Sequence, residues 1–195
     1  MFRFDIVETE RAKYMLWTTH HIAFDGMSHN VIMNDIAAAY DGVELSQETY
    51  NALDVAEEEA ERRASEEYQH AKEWYEAVFS GLDVESVPMP DRNEVDSQGV
   101  LVHEFSLSEA DMKTFCREKN VSTSALTSAA FALLTGTYTN QQESLFSTIY
   151  HGRSENAAHI VGMFVKTLPV YAKWDNSTGV TDFLMTLSER IQGAR

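Results

Sequence analysis

The chain has 195 residues, is 44% hydrophobic and carries a formal net charge of −16, enough apolar material for a core and too much negative charge to favour nucleic acid as a partner. No run of about 18 apolar residues occurs, which argues against a membrane span, and Met1-Phe2-Arg3-Phe4-Asp5 lacks the basic-then-apolar order of a secretory signal. A lone cysteine, Cys116, precludes an internal disulfide and leads us to expect a reducing, cytoplasmic setting.

Phe2, Phe4 and Ile6 alternate over residues 2 to 9 and predict a strand; a turn near Glu8 to Arg11 pairs it with a second strand, Lys13 to Thr19, as a hairpin. The stretch His20-His21-Ile22-Ala23-Phe24-Asp25-Gly26 leaves that second strand. Ser28 is the expected N-cap of a helix over residues 28–40 that turns Val31, Ile32, Ile36, Ala37 and Tyr40 inward, and Asp41-Gly42 ends it. A long helical stretch, bent at some point, is predicted from Gln47 to Phe79. Its acidic residues, Glu57 to Glu59, Glu61, Glu66 and Glu67, mark a solvated face, and Tyr68, Trp74, Tyr75 and Phe79 form a stripe for core packing.

Residues 82–99, punctuated by Pro88, Pro90, Asp91, Asn93, Asp96 and Gly99, read as a linker. A strand with Val100, Val102 and Phe105 inward follows, then a short helix opened by Ser108 with Asp111 and stopped by Asn120. The Ala-rich run from Thr123 to Tyr138 predicts a helix buried inside the fold. Strands are expected over residues 144–150 and 164–173, with Pro169 at a bulge or edge. A last helix, 181–192, places Phe183, Leu184, Leu187 and Ile191 on one face.

Most of the chemistry lies in the histidine stretch. Imidazole exchanges a proton near neutral pH, and adjacent residues leaving a strand point to opposite sides, so one of His20 and His21 is expected to face a substrate. Asp25 reads as the organiser of the turn, able to pair with an arginine or accept from nearby N–H groups, and Gly26 as a position needing unusual backbone angles. An ordinary turn with ordinary histidines is the alternative. Four fixed positions match by chance in a chain this long on the order of once in a thousand. No metal motif, phosphate-binding glycine loop or serine-hydrolase elbow is present, and Cys116 reads as a helix residue rather than a nucleophile.

The heptapeptide resembles the His-His-Xaa-Xaa-Xaa-Asp-Gly signature of condensation domains of nonribosomal peptide synthetases, in the chloramphenicol-acetyltransferase-like superfamily. Val161-Gly162-Met163-Phe164-Val165-Lys166-Thr167-Leu168-Pro169 is similar to that family's Gly-Xaa-Phe-Val-Asn-Thr-Leu-Pro element, and Ser147 to Arg153 resembles the strand ending in Gly-Arg before it. Glu73 to Gly81 resembles the helix closing the first lobe. The resemblance implies an α/β fold, an α+β two-layer sandwich of chloramphenicol-acetyltransferase type. It further implies a partial domain, with residues 1–81 ending an N-terminal lobe, 82–99 crossing over and 100–195 beginning a C-terminal lobe.

By the same resemblance, the active site is a tunnel between two lobes where an acceptor aminoacyl thioester and a donor acyl or peptidyl thioester form an amide. Both substrates ride on phosphopantetheine arms of carrier proteins, and no cofactor is bound directly. His21 matches the catalytic position, His20 a structural one, and Asp25 and Gly26 the supporting motif, with Arg153 the candidate partner of Asp25. Phe164, Lys166 and Thr167 match tunnel or lobe-interface positions, and Lys166 stands where the family carries asparagine, so either the tunnel is altered or this side chain points outward. Expected partners are carrier proteins, for which Lys113, Arg117 and Lys119 are the nearest basic cluster, and neighbouring synthetase domains. Self-association through uncovered sheet edges is a further expectation. The alternatives are a coenzyme A-dependent acyltransferase or epimerisation domain of the same superfamily, or a non-catalytic condensation-like module that recruits a partner.

Overall fold

The computed structural model describes residues 2–84, 99–100 and 102–194. Most of the expected linker, including Pro88, Pro90, Asp91, Asn93 and Asp96, therefore lies outside the described residues. The chain forms two compact units. The first takes residues 1–70 and 149–166, the second residues 71–148 and 167–195. Residues 149–166 thus group with the histidine loop and not with the sequence that surrounds them.

In the first unit, β1 (Phe2–Glu8) and β2 (Lys13–Thr19) form an antiparallel hairpin with Phe4 opposite Trp17 and Glu8 opposite Lys13. Thr9 fixes the turn, its hydroxyl donating to Ala12 O (2.8 Å) and accepting from Ala12 N (3.1 Å). A 3₁₀ turn, His21–Ala23, leads into α1 (Gly26–Tyr40). The cap of α1 is Asp25, not Ser28: its carboxylate accepts from Ser28 N, which makes Ser28 a residue of the first helical turn. Both residue types cap well, and the earlier one leaves Ser28 free for another role. Val31, Ile32 and Ile36 are half-buried as the periodicity predicts, whereas Ala37 is exposed and Tyr40 at the helix end is 91% exposed.

The stretch predicted as one long helix is two. The first, α2 (Ala52–Arg62), starts five residues later than expected, where Asn51 and Asp54 form a reciprocal capping box; α3 (Glu66–Phe79) follows a turn at Arg63–Ser65. Ser65 makes that turn, donating to Arg62 O and accepting from Tyr68 N, so a side chain supplies a break that no Gly or Pro announces. Of the aromatic stripe, Trp74, Tyr75 and Phe79 pack together, and Tyr68 stays half exposed.

The strand predicted over residues 100–105 is irregular chain among the described residues, and Val100, Val102 and Phe105 are exposed. Alternation alone cannot hold a strand that has no neighbour to complete its hydrogen bonds. In the second unit, α4 (Glu109–Lys119) is capped by Ser108 and stopped by Asn120 in the left-handed conformation, and Cys116 is buried on it. Then come α5 (Thr123–Thr139), the paired strands β3 (Glu143–Tyr150) and β4 (Lys166–Lys173), and α6 (Val180–Gly193).

Burial of α5 is one-sided, contrary to the expectation of a wholly buried helix. Ala125, Ser128, Ala129, Ala132, Thr135 and Gly136 face the core, while Phe131, Leu133, Leu134 and Tyr138 are exposed. The small residues are what permit close approach. A Cβ on Gly136 would lie 2.5 Å from the Trp174 ring, and Thr135 Oγ1 meets Ser144 Oγ at 2.6 Å to tie the helix to β3. Val170, Ala172, Phe183, Leu184, Leu187 and Ile191 complete this core. Pro169 lies within β4 of the two-stranded sheet, where every strand is an edge.

Candidate active site

At the centre of the first unit lies a buried ion pair. Arg153 Nη2 donates to Asp25 Oδ1 at 2.7 Å, and the two side chains are 2% and 0% exposed. A charge pair so deep is sustained only if the remaining donors and acceptors are also met, and nearly all are. Asp25 Oδ1 accepts from Ser28 N (2.8 Å) and Oδ2 from Phe164 N (3.1 Å). Arg153 Nη1 donates to the carbonyls of Ala157 (2.8 Å) and Ile160 (2.6 Å), and its guanidinium carbon sits 4.5 Å from the centre of the Phe164 ring. Of the side-chain donors and acceptors of this pair, Arg153 Nε is the one left buried without a partner among the described residues.

Ser28 is the hub of this network. Its Oγ accepts from Arg153 Nη2 (2.8 Å) and Gly162 N (3.0 Å), and lies 2.8 Å from Gly162 O and 2.9 Å from Asp25 Oδ1, one of which receives its single proton. Burial pushes the Asp25 carboxyl up, but the Ser28 amide, the Arg153 guanidinium, the Phe164 amide and the Ser28 hydroxyl together outweigh it and hold the pKa below the ordinary value. Asp25 is therefore a fixed anion that joins the histidine turn to residues 153–164.

Two glycines on the arginine side make this possible. Gly152 has φ +62°, and a Cβ there would collide with Phe164 O. At Gly162 a Cβ would stand 2.5 Å from the Phe164 ring. Gly26 is different. It shows no left-handed backbone, and nothing lies within 4 Å of a Cβ built on it, so the unusual angles expected at this position are absent.

The histidines occupy a turn rather than the end of a pleated strand, so strand alternation does not govern them. Both rings are exposed. They differ in engagement: His20 caps the 3₁₀ turn, its Nδ1 accepting from Ile22 N at 3.1 Å, whereas no hydrogen bond involves the His21 ring among the described residues. His21 lines a cleft of about 350 Å³ together with Thr19, Phe24, Asp25, Gly26 and His29. Sequence reasoning passed over His29, because a lone histidine in a helix carries no signal until the fold brings it to the cleft.

The residues of the later motif separate. Phe164 is buried with Ala157 and Ile160, against Tyr50, Ala52 and Val55. Because its amide serves Asp25, β4 begins at Lys166 and not at Phe164 as predicted. Lys166 Nζ reaches Glu59 Oε1 on α2 at 2.6 Å. That bond, ahead of the opposing effect of burial, holds the Glu59 carboxyl below its ordinary range. Thr167 is exposed on β4. In the basic cluster, Lys113 is paired with Glu109 at 2.5 Å. Among the described residues no three metal-ligating side chains converge, and no helix is long and apolar enough to cross a membrane.

Comparison with known proteins follows the same outline. The sequence profile of the Condensation domain family matches residues 1–195. Bacitracin synthase 1 of Bacillus licheniformis is 27% identical over 196 residues, covering 97% of this chain and 4% of the synthase; chondramide synthase of Chondromyces crocatus is 28% identical over 206 residues, covering 97% and 5%. Among solved structures, the condensation domain of the monacolin K polyketide synthase aligns with TM-score 0.82 at 14% identity. The epimerization domain from the third module of tyrocidine synthetase B aligns with TM-score 0.78, also at 14%. Each likeness spans 99% or 98% of this chain and 47% of the solved one. The chain thus covers just under half of such a domain and a small part of the curated synthases, and its fold is of the chloramphenicol-acetyltransferase type.

Proposed function

Because this chain belongs to the condensation-domain family, we propose that it supplies the histidine-loop part of a site where two carrier-bound thioesters are joined through an amide bond. On this reading residues 1–81 end an N-terminal lobe, 82–99 cross over and 100–195 open a C-terminal lobe. The observation that carries the proposal is the contrast within the histidine pair: His20 is spent on the turn, and His21 presents an unbonded ring to a cleft from a loop clamped by Asp25, Ser28 and Arg153.

The reaction needs the acceptor amine held as its free base beside the donor carbonyl. The amine nitrogen attacks the thioester carbon; a C–N bond forms, the C–S bond breaks, and the sulfur leaves as the donor carrier's phosphopantetheine thiolate. The proton lost by the amine passes to His21 and from there to the thiolate, which balances the step. The clamp contributes by preorganisation, since a displacement of the ring by an ångström is costly to such a transfer. The carriers, the neighbouring synthetase domains that load them and a cytoplasmic setting belong to the same proposal, and the chain itself needs no bound cofactor.

His21→Ala in the intact synthetase tests it. Product formation from ATP and a mixture of amino acids should fall by about 10²–10⁴-fold, the usual worth of a positioned general base. Product made at the wild-type rate would refute the assignment.

A further inference from the structure

The cleft beside His21 holds a second imidazole. His29 lies on the first turn of α1, its amide donating to Asp25 O at 3.3 Å, so it rides on the element that Asp25 anchors. Its ring stacks on Trp17 with centroids 5.4 Å apart and planes 12° from parallel. Trp17 is itself stacked on Phe4 and set edge-on to Phe24. Stacking of this kind fixes the plane of the imidazole and leaves its nitrogen-bearing edge free. No hydrogen bond involves that edge among the described residues, although the side chain is exposed and lines the same cleft as His21.

Two imidazoles with unspent nitrogens line this one cleft, the His29 ring held by its stack on Trp17 and His21 carried on the clamped turn, and such a pair suits a ligand with two adjacent polar groups. Amide formation presents such a ligand: an amine that must lose a proton and a carbonyl oxygen that gains negative charge as the amine adds. Imidazole offers an N–H donor in either neutral tautomer and in the cation, so His29 can serve the oxygen whatever its protonation state. We propose that His29 contacts the substrate by donating a hydrogen bond to the thioester carbonyl oxygen while His21 handles the amine. This rests on the reading of His21 given above. It makes His29 an oxyanion-side residue of the site, and His29 itself exchanges no proton with the substrate.

Three substitutions in the intact synthetase, supplied with ATP and a mixture of amino acids, test the assignment beside His21→Ala. His29→Phe keeps a flat ring for Trp17 but removes the donor, His29→Gln keeps an N–H donor but loses the ring, and His29→Ala loses both. The expected result is a fall in the rate of amide formation of about 10- to 100-fold for His29→Phe and His29→Ala, with His29→Gln several-fold better than either. Thermal unfolding of His29→Phe should match the wild type. If His29→Phe works within twofold of the wild type and only His29→Ala and His29→Gln are slow, the ring merely packs on Trp17 and the inference is overturned. It is equally overturned if His29→Gln is as slow as His29→Phe. An inactive His21→Ala alongside an unimpaired His29→Phe defeats this inference alone. A fully active His21→Ala defeats the reading beneath it.

Discussion

The two units bury different chemistry. Among the described residues of the first, the buried polar side chains are Asp25, Ser28 and Arg153, and they sit among few buried apolar residues: Phe24, Ala157, Ile160 and Phe164. Among the described residues of the second, the buried polar side chains are those of Ser128, Thr135, Ser144 and Ser188, within a core that includes Val170, Leu184, Leu187 and Ile191. An apolar core accepts several side chains of about the right volume, whereas a densely bonded charge network accepts one geometry. The histidine loop is built on the kind of interior that specifies position, and the second unit on the kind that supplies bulk stability.

The largest test of that contrast is Arg153→Met. It strands the Asp25 carboxylate in the interior and should cost about 3–5 kcal/mol of stability in chemical denaturation, with the loss focused on the first unit in hydrogen exchange. In the second unit, Leu187→Ala should cost about 2–5 kcal/mol by leaving a cavity, and Leu187→Met, which keeps the volume, less than about 1.5 kcal/mol. No conservative swap should rescue Arg153 in the same way: Lys at 153 lacks the planar fork that serves Asp25, Ser28 and two carbonyls at once. If Arg153→Lys is as stable as the wild type, the distinction between the two interiors fails.

Acid sharpens the comparison further. The folded state holds Asp25 below its ordinary pKa, so as pH falls the unfolded chain takes up that proton first. The stabilisation is complete above the usual aspartate value of about 3.9 and disappears as pH drops through the lower folded value. Between about pH 5 and 2 the wild type should therefore lose stability more steeply than Asp25→Asn, as read from unfolding midpoints at each pH. The smallest effect belongs to the Lys166–Glu59 pair, whose side chains are 43% and 38% exposed. Lys166→Met should change stability by no more than about 1 kcal/mol, and 0.5 M salt should remove most of that difference.

Legibility in the sequence follows the same division. The helix α6 could be read because its period puts Phe183, Leu184, Leu187 and Ile191 on the buried face, the hairpin because strand-forming residues flank a turn although both strands stay largely exposed, and Asn120 because its type matches a helix stop. The break at Arg63–Ser65 escaped because a serine hydroxyl makes it, and the strand over 100–105 was misplaced because pairing is not a property of one segment. In the histidine loop, residue types and spacing pointed to Asp25 as organiser, and the likeness of Ser147–Arg153 to the family pattern pointed to Arg153. The hub role of Ser28 could not be read, since its three partners lie 125 to 134 residues away or on the capping aspartate. Gly26 was credited with a strain that Gly152 in fact carries.

One consequence of the clamp concerns chimeras. Residues 25–28 and 152–164 meet as a single lock, yet more than half of the chain separates them, so a recombination crossover placed anywhere between them gives each parent half of the key. Hybrids cut there inherit a histidine turn matched to a foreign arginine loop, and even where every motif letter is retained they depend on the spacing of Gly152, Gly162 and the carbonyls of Ala157 and Ile160. Exchanges that carry both stretches from one source keep the turn in register whatever is swapped around it.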